Sequence, residues 1–165
     1  MITPHSSHNR IGIIAIATFL FFCLHSTVSA YYTTSQKSIA LPNGETLFLI
    51  DYVFGHDTHD MYMPILVTDS KEQTTNAVHY EVRDADDHIA TGTTRGIVVS
   101  DAAVTSDALY KIEKGSTKKF TLAIFFKPQQ SAKKYHLQVT QLPFNFDRTQ
   151  QLGLNQFELA HYRTK

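Results

Sequence analysis

The sequence is poor in several residues that often signal a particular chemistry. It has one cysteine, Cys23, and no tryptophan. A lone cysteine forms no internal disulfide and no multi-cysteine zinc site. Neither charge sign is in excess: 15 Lys+Arg stand against 15 Asp+Glu. A nucleic-acid-binding domain carries a strongly basic face, so no nucleic-acid partner is expected. The phosphate-cradling pattern G-x-x-x-x-G-K-[S/T] does not occur, nor does the nucleophile elbow G-x-S-x-G. With no other catalytic signature, the expectation is that the protein is not an enzyme. Hydrophobic residues make up 42% and aromatics 12%, too many for a disordered chain. A length of 165 residues fits one domain.

The longest apolar run, Ile11 to Leu24, lies at the N-terminus behind a polar segment whose only cation is Arg10. As a helix its 14 residues span about 21 Å, short of a hydrocarbon core of about 30 Å. Val28-Ser29-Ala30 follows, close to a small-x-small cleavage site. Residues 1–30 therefore read as a helical signal peptide and 31–165 as the exported domain. Secretion to the periplasm or cell surface is expected, with no stable membrane span after cleavage. The alternative is an uncleaved anchor, which Tyr31 and Tyr32 extend into the membrane interface. Cys23 follows Leu20 by three residues, but Phe22 occupies a place where a lipidation signal needs a small residue. Cys23 thus reads as filler in the signal, and residues 31–165 contain no cysteine.

Beyond residue 30 the patterning has a period of two. In 46–54, Phe48, Ile50, Tyr52 and Phe54 share one face, while Leu47, Leu49, Asp51 and Val53 share the other, as in a central strand covered on both sides. Further strands are expected at 61–68, where Pro64 favours an edge or bulge, and at 77–83, 88–91, 95–100, 108–113, 118–127 and 134–142. In 134–142, Tyr135, Leu137, Val139 and Gln141 fall on one face, and His136, Gln138, Thr140 and Leu142 on the other. Strands at this spacing, separated by turn residues, indicate an all-β, single antiparallel immunoglobulin-like β-sandwich, with a small barrel as alternative.

Five pieces carry a resemblance: Phe48-x-Ile50-x-Tyr52-x-Phe54-Gly55, Asp60-Met61-Tyr62-Met63-Pro64, Tyr110-x-Ile112-x-x-Gly115, Phe120-Thr121-Leu122 and Tyr135-x-Leu137-x-Val139. Over about residues 45–147 the chain resembles uncharacterised secreted bacterial Ig-like β-sandwich proteins, such as those of small-genome candidate-phylum bacteria. The resemblance implies an extracytoplasmic module for adhesion, envelope structure or protein binding, and brings no catalytic residue with it. Residues 160–165 carry no apolar sorting tail, so covalent wall attachment is not expected.

One loop concentrates possible ligands. His56-Asp57-Thr58-His59-Asp60-Met61-Tyr62-Met63 places two His, two Asp and two Met within eight residues. Imidazole with thioether suits copper, and imidazole with carboxylate suits zinc. A copper or zinc carrier using His56, His59, Met61 and Met63 is therefore an alternative function. The competing reading is a polar turn followed by methionines that fill the core. Asp84-Ala85-Asp86-Asp87-His88 reads either as a calcium-binding carboxylate cluster or as a solvated hairpin turn. Lys111, Lys114, Lys118, Lys119, Lys127, Lys133 and Lys134 form a basic stretch that suits either an anionic surface or protection of a sheet edge. A carbohydrate-binding sandwich is a third function, resting on Tyr31, Tyr32, Tyr62 and Tyr162 without the larger platform of tryptophan. The partner expected first is a protein or another component of the cell envelope.

Overall fold

A computed structural model describes residues 29–72, 74, 76–129, 134–146 and 155–156, with side chains described between 35 and 146. Its strands run β1 (Ser29–Ala40), β2 (Thr46–His56), β3 (Met61–Pro64), β4 (Val67–Asp69), β5 (Val78–Asp84), β6 (Gly92–Ser100), β7 (Ala103–Val104), β8 (Leu109–Ile112), β9 (Ser116–Pro128), β10 (Tyr135–Gln141), β11 (Pro143–Phe144) and β12 (Asn155–Gln156). The described residues contain no helix, and none is long and apolar enough to cross a membrane.

The period-two patterns of β2 and β9 build the first layer. Phe48, Ile50, Tyr52 and Phe54 are each 2% exposed or less, as are Phe120, Leu122, Ile124 and Phe126 opposite them. The two strands pair antiparallel, with Phe48 beside Ile124 and Tyr52 beside Phe120. β1 flanks β2 and β6 flanks β9, giving a four-stranded antiparallel sheet in the order β1-β2-β9-β6. The second layer consists of shorter ladders, β3-β8-β7, β10-β5-β4 and β11-β12, with the bridge Tyr62–Asn145 tying β3 to the chain after β11. Val78, Tyr80, Val82, Leu137 and Val139 from this layer join the β2 and β9 rows in one core. The all-β class expected from the sequence is thus the one observed, and its arrangement is consistent with a β-sandwich.

Five details depart from the sequence reading. The strand expected at 61–68 is interrupted at Ile65–Leu66, so that β3 pairs with β8 and β4 with β5. The β4–β5 pair is parallel, in a fold expected to be antiparallel throughout. Parallel neighbours usually require a long crossover. Here β4 has three residues, about 10 Å of strand, and the segment between Asp69 and Val78 is long enough to return that far. The Val78 N–H donates to Leu66 O (2.9 Å) and the Ser70 N–H to Tyr80 O (2.9 Å), extending the parallel register at both ends. The return strand expected at 88–91 shrinks to a single bridge between Arg83 and Ile89.

In β10 the register shifts between Val139 and Gln141. This bulge inverts the alternation. Leu142, expected on the face of His136, is instead 2% exposed within the core. β1 was not expected as a strand. Residues 1–28, most of the expected signal peptide, lie outside the described residues, but Ser29 and Ala30 open β1 beside His56 and Gly55.

The layers approach closely at β6. A Cβ on Gly96 would lie 2.6 Å from Val67 Cγ1 and 2.6 Å from Ile124 Cδ1. Nearby, the Tyr110 hydroxyl of β8 donates to Val98 O of β6 at 2.9 Å.

Candidate functional site

The His/Met loop sits at one end of the molecule, where β2 gives way to β3. His56 closes β2 and is only 4% exposed. Its Nδ1 accepts the backbone N–H groups of His59 (3.1 Å) and Thr58 (3.3 Å). An Nδ1 that accepts hydrogen bonds places the neutral ring's proton on Nε2. Burial pushes the His56 pKa below the usual imidazole value, and His59 pushes it the same way, while Asp57 opposes them. Exposed His59 turns its Nδ1 to the Thr58 hydroxyl at 2.8 Å. The two imidazole centroids lie 5.2 Å apart, and Phe146 stands 4.5 Å from His56 and 5.4 Å from His59.

Asp60 anchors the other end of the loop. Its carboxylate meets Lys111 Nζ at 2.9 Å and accepts the Lys114 N–H at 3.0 Å. These bonds, Lys111 first, hold the Asp60 pKa below the ordinary carboxylate value. The Gly115 N–H donates to His56 O at 2.8 Å, and Gly115 makes the turn with φ of 70°. That left-handed conformation suits glycine.

The fold therefore brings His56 and His59 together, while Met61 and Met63, at 0% and 2% exposure, belong to the core. With His56 Nδ1 engaged by two backbone donors, metal chemistry at this end would draw on His56 Nε2 and His59. In the second acidic loop, Asp84, Asp86 and His88 bring ligand atoms within 4.8 Å of one another. Asp84 Oδ1 accepts the N–H groups of Asp86 and His88, each at 3.0 Å, which is local turn bonding. Tyr62 is half-buried, whereas the side chains of Tyr31 and Tyr32, and all of Tyr162, lie outside the described residues.

The lysine stretch is distributed differently from the edge-protection reading. Lys118, Lys119 and Lys127 lie on β9, an interior strand between β2 and β6. Lys118 Nζ lies 3.7 Å from Asp101, and the Lys119 N–H donates to the same carboxylate at 3.1 Å.

The outer face of the first sheet was only half legible. Val53 is 6% exposed and Leu47 and Leu49 are half-buried, as a covered second face predicts. On flanking strands, however, Ile39, Ile97 and Val99 are 41%, 52% and 55% exposed. Asp51 lies on this face and accepts the hydroxyls of Thr121 (2.7 Å) and Ser35. Those two bonds, with Lys37 and Lys119 nearby, keep its pKa low. Arg95 stacks over Phe125, 4.5 Å from the ring centroid, and pairs with Glu45 at 3.1 Å.

Comparison with family models, with curated proteins and with solved structures finds no match to this chain.

Proposed function

We propose that the chain is an exported, non-enzymatic Ig-like module that works in the cell envelope by surface recognition, in adhesion, envelope structure or protein binding. The observation that carries this reading is the outer surface of the first sheet. There Ile39 of β1 and Ile97 and Val99 of β6 stand exposed, on the two outer strands of the sheet, although the interior is well supplied with apolar residues. Exposed apolar side chains gathered on one sheet face mark interaction sites. The edge adds support: the sheet order places β1 at one edge beside β2, where an extended partner could add a strand.

Expression in a host with an export pathway, followed by fractionation and intact mass, tests the reading. The expected product begins near Tyr31 and is recovered outside the cytoplasm with the envelope. A chain recovered only in the cytosol with residues 1–30 attached overturns it.

A further inference from the structure

The outer face of the first sheet is basic as well as apolar. Its centre is aliphatic: the register sets Ile97 beside Ala123 and Ala123 beside Leu49. Around this centre stand four cations, Lys37, Arg95, Lys119 and Lys127, all exposed. Two acids share the face: Asp51 under two hydroxyls, and Glu45, 15% exposed, against Arg95. Four cations thus stand against two anions, and the face keeps a positive excess. Among the described residues the second layer and its turns have the opposite balance. There, the Asp101–Lys118 pair aside, ten Asp and Glu stand against Lys71, Arg83, Lys111, Lys114 and Lys134. The described residues thus separate their charge between two faces.

We propose that this face docks on a bilayer surface bearing anionic lipid headgroups. The inference rests on the envelope-module reading and names its partner. Aliphatic side chains gain by entering the headgroup boundary, while surrounding cations meet lipid phosphates. Charge selects lipid over a second copy of the chain, because joining two such faces would set Lys37, Arg95, Lys119 and Lys127 against the same four cations. The sequence agrees with this placement. Only residues 25–28 separate the apolar run ending at Leu24 from β1, the edge strand of this face. Retained as an anchor, that run would hold this edge next to the bilayer.

The test is sedimentation of the chain recovered from an exporting host with vesicles of phosphatidylcholine alone or mixed with phosphatidylglycerol. Binding is expected to be stronger to the mixed vesicles and to weaken as salt rises. Lys119→Glu combined with Lys127→Glu should weaken it about tenfold or more, and Ile97→Asp should weaken it as well. Lys71→Glu, a charge change on the other layer, should leave it unchanged. Because the lysine variants alter only exposed side chains, they carry the test even where Ile97→Asp unfolds. Their contrast with Lys71→Glu reads the face whatever residues 11–24 contribute.

Loss no greater in the double lysine variant than in Lys71→Glu overturns the proposal. So does a stable lipid-free dimer, seen by light scattering, that Ile97→Asp dissociates. Envelope recovery without vesicle binding overturns the lipid partner alone. Confinement to the cytosol overturns the module reading beneath it.

Discussion

His56 is neutral in this fold because it is buried and because its Nδ1 receives two backbone N–H groups. Adding a proton to Nδ1 would point a third N–H at those donors. The folded-state pKa is therefore lower than the unfolded value of 6.5. Below 6.5 the unfolded chain takes up the proton first, so stability is complete above that pH and declines as pH falls toward the lowered folded value. Denaturant titrations across this range should show the decline, and His56→Gln, which keeps an acceptor but cannot titrate, should flatten it. An identical pH dependence in His56→Gln would contradict the assignment. Met61 makes the complementary case. Its side chain is fully buried, so Met61→Ala should cost about 2–5 kcal/mol. Urea unfolding in chelator reads this cost: a methionine acting only as a metal ligand would show no loss there. The sequence pointed to these residues as a group. It did not separate imidazoles at the end of the molecule from thioethers in its interior, because composition within a loop carries no direction.

Elements were legible where side chains alternate and obscure where they do not. β2, β5, β8 and β9 lie within two residues of their expected bounds, since each buries one row of apolar side chains. β1 escaped notice because its residues from Ser29 to Ser38 include only Ala, Tyr, Thr, Ser, Gln and Lys, with no aliphatic alternation beyond Ala30. Its place comes from backbone pairing with β2, which leaves no mark on side-chain pattern. The bulge in β10 is hidden for a similar reason: one extra residue inverts every later position, and nothing local announces it. Gly96 offers a test at this scale. Gly96→Ala would push a methyl against both Val67 and Ile124, joining strands of different layers. An overpacked contact of this kind should cost about 1–3 kcal/mol in chemical denaturation. An unchanged midpoint would show that the layers yield freely at β6.

At the scale of the whole molecule, the balanced charge of the sequence acquires a direction. The lysines of β9 alternate with its buried aromatics, so the strand that builds the core also places Lys119 and Lys127 on the outer sheet face. Most acids among the described residues lie in the other layer and its turns. The all-β class and most of the core could be read from the linear chain, because burying apolar side chains at every second position is a local property. So could the concentration of possible ligands at 56–63. Which strands adjoin, that β4 and β5 run parallel, that Met61 and Met63 face inward, and that aliphatic residues of β1 and β6 share one cation-rimmed face all depend on contacts between segments far apart in the chain. Such contacts are set by how two layers close over a common core, and no window of the sequence contains both sides of them.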